Sequence, residues 1–388
     1  MNPEQLHRSP PFSLLGETLG GEHARIPSRG DITAISRVGI NVYFPARHCP
    51  DYLSLLGRDI ALKAATLPTR GAVASLWLRG YPLRQLPTEA LTELVFRLCS
   101  RFNLRHSQGV VRGIDLGPEH CLREHLALVR GLGFDVVRLV IDATIATADR
   151  GLDQCQRALA AIDEFQPLRL RGTVLYGTDT NTLFADRLMG VLARSQAEEI
   201  ELIQSIPPVR PASADCSLQR LFEGAAGSLE AAGYLLFGDR TFKHPRHGDV
   251  ALRDNHHLSY GPWGFYNSDI ANWLGLGIGA DGISEGYLYH NTQDPARYRQ
   301  LLDEECSPIA SWSPTPIVDS APYRLIQALF CHHRADLPAR LDPASHQRLL
   351  AEGWIIADDR EVILTPAGAR NLQSVLRLLC DHGVDDHG

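Results

Sequence analysis

The chain lacks most of the features that would place it by composition alone. No two of its eight cysteines, Cys49, Cys99, Cys121, Cys155, Cys216, Cys306, Cys331 and Cys380, form a C-x-x-C pair. Their even spread gives no support to a metal knuckle or a disulfide framework, and it fits thiols used as small buried hydrophobes. No apolar run approaches the length that spans a bilayer. The first residues, MNPEQLHRSPPFSLLGE, lack the basic and apolar regions of a signal peptide, so a cytoplasmic protein is expected. Positive charge is not in excess either. A net charge of −7 and a pI near 6.1 give no general pull toward nucleic acid or anionic membrane. There are no internal repeats and no low-complexity tracts.

What is present is a long alternation of short β-rich runs with amphipathic stretches, the pattern of a parallel α/β fold. Strands are predicted at 39–44 (GINVYF), 72–79, 110–116, 135–142, 170–176 and 199–204. Between them lie helices such as 88–103, TEALTELVFRLCSRFN, with an apolar repeat of three to four and Thr88 as its expected N-cap. Six such units fit a barrel or partial barrel, whose ligands sit at the carboxyl ends of the strands. Residues 1–36 read as an irregular arm and 37–205 as the barrel core. Residues 206–322 open on a proline-rich connector and a helix at 216–232, then a long loop region, 237–270, dense in His, Gly and aromatics. Residues 323–388 read as a winged-helix-like unit with Pro366 at the first position of a helix.

Several markers in order resemble the oxygen-independent coproporphyrinogen III oxidase family, a branch of the radical-SAM enzymes that includes related haem chaperones. Tyr43-Phe44-Pro45 is similar to the family's Tyr-Ile-Pro. Arg79-Gly80-Tyr81-Pro82 stands where the family has Gly-Gly-Thr-Pro, and Asp115-Leu116-Gly117-Pro118 where it has Glu-x-Asn-Pro. Tyr176-Gly177 and the glycine-rich run Leu274 to Ala280 also match. The resemblance covers roughly residues 38–380. It implies a radical-SAM-type partial barrel with a small C-terminal helical, winged-helix-like domain.

The departures are as informative. The family's C-x-x-x-C-x-x-C motif holds a [4Fe–4S] cluster that chelates S-adenosylmethionine. Here its three positions carry Arg47, Asp51 and Ser54. Arg138 is present, but Val140, Asp142 and Thr144 occupy the next family positions, and Thr173 stands where an Asp normally precedes Tyr-Gly. No [4Fe–4S] cluster is therefore expected.

Two functional classes follow. One is a re-purposed tetrapyrrole (haem) binder, or an accessory to a partner enzyme. By resemblance to the chaperones its haem side is His256, His257 and Tyr260, with Arg240, Lys243, Arg246 and Arg253 available to propionates. The other is an enzyme that takes S-adenosylmethionine or another small substrate in the old cavity through Gly80, Asp115, Arg138 and Gly277. A conventional oxidase stands third. Plainer readings accompany each: a polar loop for the histidines, a structural ion pair for Asp115 and Arg138, and a remnant loop for His48-Cys49-Pro50, where Arg47 and His48 favour the thiolate of Cys49. The winged-helix-like tail has no basic stripe, so no nucleic-acid partner is expected.

Overall fold

The computed structural model describes residues 19–20, 37–65, 72–104, 109–145, 148–205, 214–284, 287–314, 321–337, 343–357 and 361–380. Most of the expected arm, the proline-rich connector and the acidic C-terminus lie outside these. Six strand–helix units come first: β1 (Arg37–Phe44), α1 (Tyr52–Ala64), β2 (Val73–Gly80), α2 (Thr88–Arg101), β3 (Val111–Leu116), α3 (Arg123–Gly131), β4 (Val136–Asp142), α4 (Ala148–Glu164), β5 (Arg169–Tyr176), α5 (Thr182–Ala193), β6 (Glu199–Gln204) and α6 (Ala214–Ala231). Strands β1 to β6 pair in parallel and in sequence order. A seventh parallel strand, Ile270–Leu276, joins on the free side of β1. Antiparallel strands Asp281–Ser284, Tyr287–Asn291 and Ile309–Pro314 extend the sheet from there, with Leu19–Gly20 on Ile309–Pro314.

The strands alternate in a way that places the site. On one face Ile40, Val42, Leu76, Leu78, Ile114, Leu139, Val174 and Leu202 are buried hydrophobes. The helices cover this face: a Cβ on Gly172 would meet Leu192 of α5. Helix α2 shows the matching pattern, burying Leu91, Leu94, Val95 and Leu98 at helical spacing. Each such side chain contributes about 1.5–3 kcal/mol. The other face carries Asn41, Tyr43, Ser75, Trp77, Arg79, Asp115, Arg138, Arg171, Thr173, Glu199 and Glu201. Barrels of this kind usually fill their interior with branched apolar side chains. Here the inner face is polar instead.

Two local expectations are corrected. Thr88 is the first helical residue and not the cap; Pro87 precedes it, with no side-chain capping bond. Proline pre-sets extended entry to the helix, so the hydroxyl is not needed there. Residues 237–270 are ordered structure and not a loop region: they contain hairpin Leu235–Phe237/Thr241–Lys243, helix Gly248–Asp254 and hairpin Leu258–Gly261/Gly264–Asn267. Their strands are three or four residues long, too short to carry a periodic signal.

By contacts the chain forms two compact units, one built from Thr18–Ala232 with Asp269–Pro314, the other from Gly233–Ser268 with Thr315–Gly388. The expected region 206–322 is thus shared between them. Ile270–Leu276 returns to the first unit because it pairs with β1. The second unit contains the two hairpins and helix Gly248–Asp254. It also contains helix Ala321–His332, a three-stranded sheet (Arg334–Asp336, Glu361–Leu364, Ile355–Ala357) and helices Pro343–Ala351, Pro366–Arg370 and Leu372–Cys380. Its core includes Phe237, Tyr260, Phe330, Leu349, Val362 and Leu376. Pro366 does open its helix, behind the capping hydroxyl of Thr365. Among the described residues no helix is long and apolar enough to cross a membrane.

Candidate functional site

The loop after β1 runs from Pro45 into α1. Arg47, Asp51 and Ser54 are exposed, and Asp51 takes a left-handed conformation (φ 58°) before the first turn of α1. The loop backbone is tied down by the buried amide of Gln85. Its Nε2 donates to the carbonyls of Pro45 (2.6 Å) and Arg47 (2.8 Å), and its Oε1 accepts from Cys49 N–H (3.2 Å). Cys49 is buried, and burial raises its thiol pKa against the lowering influence of Arg299. The sequence expectation of an enhanced thiolate is therefore corrected: desolvation outweighs the neighbouring cations. The donor set does not fit a [4Fe–4S] cluster. A guanidinium cannot be deprotonated into a ligand, the hydroxyl of Ser54 is no thiolate, and Cys49 is a single protonated thiol.

Across the strand ends the arrangement is built. Gly80, last residue of β2, sits at φ +90°, and a Cβ there would lie 2.3 Å from the carbonyl oxygen of Phe44. Only glycine brings the two strand ends this close. Its N–H donates to Asp115 Oδ2 at 2.9 Å. Asp115 also accepts both arms of Arg138, Nε on Oδ1 at 2.8 Å and Nη2 on Oδ2 at 2.5 Å. This is the planar fork geometry of an arginine–carboxylate pair. Asp115 is 1% exposed. A charge pair this deep persists because each partner is fully hydrogen-bonded. Beside it, Val140, Leu175 and Ile203 form a small apolar cluster against Tyr81, whose hydroxyl pKa burial pushes up to about 12.

Below this mouth the indole of Trp77 lies over Gly113, whose missing side chain makes room for it. Three guanidiniums surround that ring: Arg79 at 5.3 Å, Arg138 at 5.8 Å and Arg171 at 5.2 Å from its centre. Arg79 also donates from Nε to Asn41 Oδ1 at 2.8 Å. Burial, and then the charge of Arg138, lower its pKa to about 10. Sequence reading placed none of Trp77, Arg79 or Arg171 in the site. The available signal was the alternation Arg169-Leu170-Arg171-Gly172-Thr173, which puts polar groups on one face of a strand.

The glycine-rich loop holding Gly277 is wired into α1. Gly277 N–H and Tyr298 Oη–H both donate to Asp59 Oδ2 at 2.8 Å. Ile278 N–H donates to Tyr52 Oη at 3.1 Å, and Tyr52 in turn donates to the Tyr43 carbonyl. Lys63 donates to Gly275 O (2.7 Å) and Asn291 Oδ1 (2.9 Å) and pairs with Asp59 at 3.1 Å. Asn291 Nδ2 closes the circuit on Gly277 O at 2.7 Å. Burial and the nearby charge of Asp59 hold the hydroxyls of Tyr298 and Tyr52 far above the usual tyrosine range, so both remain neutral donors.

The histidine cluster lies in the second unit and does not assemble as expected. His256 and His257 are exposed, on the turn after helix Gly248–Asp254, and His256 has φ 58°. The His256 ring lies 5.0 Å from that of His332. Tyr260 is instead a core residue, stacked on Phe330 at 4.1 Å. Lys243 does not reach out for a propionate. It is 1% exposed, pairs with Asp249 at 2.6 Å and sits near the rings of Phe237 and Phe265. Both side chains lie in short hairpin strands that are almost wholly buried, which a loop reading left free.

No protein-family model matches the chain. Among curated proteins, the oxygen-independent coproporphyrinogen III oxidase of Pseudomonas aeruginosa is 25% identical over 364 residues, covering 84% of this chain and 78% of that protein. Among solved structures, coproporphyrinogen III oxidase (HemN) from Escherichia coli, described as a radical SAM enzyme, has a TM-score of 0.70. It covers 89% of both chains at 16% identity, a likeness of fold. The chain is thus similar in sequence to a coproporphyrinogen III oxidase and has a radical-SAM-type fold, with Arg47, Asp51 and Ser54 exposed along the loop after β1 and the first turn of α1.

Proposed function

We propose that this protein is a cluster-less relative of the coproporphyrinogen oxidases that binds a carboxylate-bearing tetrapyrrole at its barrel mouth, without radical chemistry, as a carrier or as accessory to a partner enzyme. The observation that carries this reading is the Gly80–Asp115–Arg138 arrangement, assembled beside a loop with no thiolate set. Asp115 fixes the plane of the Arg138 guanidinium and leaves N–H groups on its other edge for a ligand carboxylate. Gly80 lets backbone approach the same point. With Arg47, Asp51 and Ser54 in place of thiolates, this reading assigns the mouth to binding.

Titration with coproporphyrin III, followed by its Soret absorbance, tests the reading. A saturable shift is expected, weakened in Arg138→Gln and retained in part by the paired variant Asp115→Asn/Arg138→Gln, which leaves no uncompensated charge. Absence of any saturable change would overturn it. The exposed His256 and His257 belong to the second unit and are tested separately from the barrel mouth: a haem Soret band unchanged in His256→Ala/His257→Ala removes them as ligands. Anaerobic treatment with iron and sulfide is expected to leave the protein without a cluster; a stoichiometric four-iron cluster would reverse that part of the reading.

A second reading keeps the mouth for S-adenosylmethionine, its carboxylate on Arg138 and its amino group on Asp115. The acid–base pairing of those two side chains favours it. Calorimetry with S-adenosylmethionine against Asp115→Asn separates the two.

A further inference from the structure

Two helices of the second unit end on histidines whose rings meet. Helix Gly248–Asp254 stops in a left-handed turn. His256 has φ 58°, and the N–H groups of His256 and His257 donate back to the carbonyls of Arg253 (3.1 Å) and Leu252 (2.8 Å). Helix Ala321–His332 stops in the same way. His333 has φ 54°, its N–H donates to Leu329 O at 3.1 Å, and its ring Nε2 donates to Gly238 O at 2.9 Å. Glycine or asparagine is the usual residue at such an end, because a β-carbon is carried there at a steric cost. The turns by themselves therefore do not select histidine.

What the two turns produce is a pair of imidazoles. The rings of His256 and His332 have centres 5.0 Å apart and are tilted by 39°. His256 is exposed and His332 half-buried. Burial first, then the charges of His256 and Arg253, lower the pKa of His332 and favour the neutral imidazole that ligates metals. The charge of Arg253 is itself offset: it lies over the Phe237 ring at 4.4 Å and 3.6 Å from the carboxylate of Asp254. An imidazole bound to a divalent ion at about 2.0–2.1 Å has its ring centre about 3.2 Å from that ion. Two such centres 5.0 Å apart subtend roughly 100° at the ion, near the tetrahedral angle. Two axial ligands of a haem stand on opposite sides of the macrocycle, about twice 3.2 Å apart, so this pair does not clasp a haem iron.

We propose that His256 and His332 hold a divalent transition-metal ion of the zinc, nickel or copper type, its remaining positions open to water. Imidazole suits these ions, whereas calcium and magnesium take oxygen ligands. The inference is independent of the barrel-mouth reading, because all of its residues belong to the second unit.

Titration of the metal-free full chain with Co²⁺, followed by its visible d–d absorbance and by displacement with Zn²⁺, tests the site. One saturable site is expected, with affinity reduced at least tenfold in His256→Ala and in His332→Ala. His332→Gln keeps the size of the half-buried side chain and decides the matter should His332→Ala fail to fold. Binding equal in the wild type and the variants overturns the site, as does weak, unsaturable uptake spread over the 16 histidines of the chain. Mg²⁺ that displaces Co²⁺ as readily as Zn²⁺ does overturns the choice of ion.

Discussion

The loop after β1 and the loop after strand Ile270–Leu276 leave neighbouring parallel strands, yet they have been treated in opposite ways. The first presents Arg47, Asp51 and Ser54 to solvent and is held by one side chain, Gln85, acting on backbone. The second is fixed by Asp59, Tyr52, Lys63, Asn291 and Tyr298, all buried. Donor side chains can be exchanged on an exposed loop with little effect on folding. A buried network cannot lose one member without stranding the others. The two loops therefore differ in how far the fold depends on their side chains.

The sharpest way to break this contrast is Asp59→Ala. It strands the Lys63 ammonium and two donors, and about 3–5 kcal/mol of stability is expected to be lost, read from the denaturant midpoint. A change below 1 kcal/mol would mean that the network is decorative. Next comes Gly277→Ala. At φ +102° its Cβ would lie 2.5 Å from both Tyr43 O and Tyr52 Oη. Strain alone costs about 1–3 kcal/mol, and thermal unfolding measures it; an unchanged melting temperature would show that the loop yields freely.

Base should distinguish the loops as well. The folded-state pKa of Tyr298 lies above the ordinary 10, first because of burial and then because of Asp59. Its stabilising contribution is present below pH 10 and is lost as pH rises past that value, since the unfolded chain ionises first. Lys63, lowered by burial, acts in the opposite sense. Tyr298→Phe is expected to flatten the alkaline limb of the stability profile. An identical limb in the variant would remove Tyr298 as its source. The smallest effect belongs to the other loop: Ser54→Ala should change stability by no more than about 0.5 kcal/mol, and a larger loss would give this exposed position a structural role.

Much of this was legible beforehand where apolar alternation is strong. Expected strands 135–142, 170–176 and 199–204 fall within a residue of the observed Val136–Asp142, Arg169–Tyr176 and Glu199–Gln204 at each end. Asp115 and Arg138 were legible as a possible pair because they fall on consecutive predicted strands, and parallel pairing sets them opposite each other in register. The short strands of 235–267 were not legible, nor was the burial of Tyr260, because three-residue strands have no period to detect. Arg171 and Trp77 were missed for another reason. They lie far apart in the chain and meet only because β2 and β5 share one face.

The sequence by itself determined the order of strands and helices and the presence of Arg47, Asp51 and Ser54 along the loop after β1, since periodicity and residue identity are local facts. The tertiary structure alone decided which polar residues face inward together, that Cys49 is buried and protonated, and that His256 and Tyr260 occupy different surroundings. Those outcomes depend on desolvation and on distances between residues far apart in the chain, and neither quantity exists until the sheet has formed.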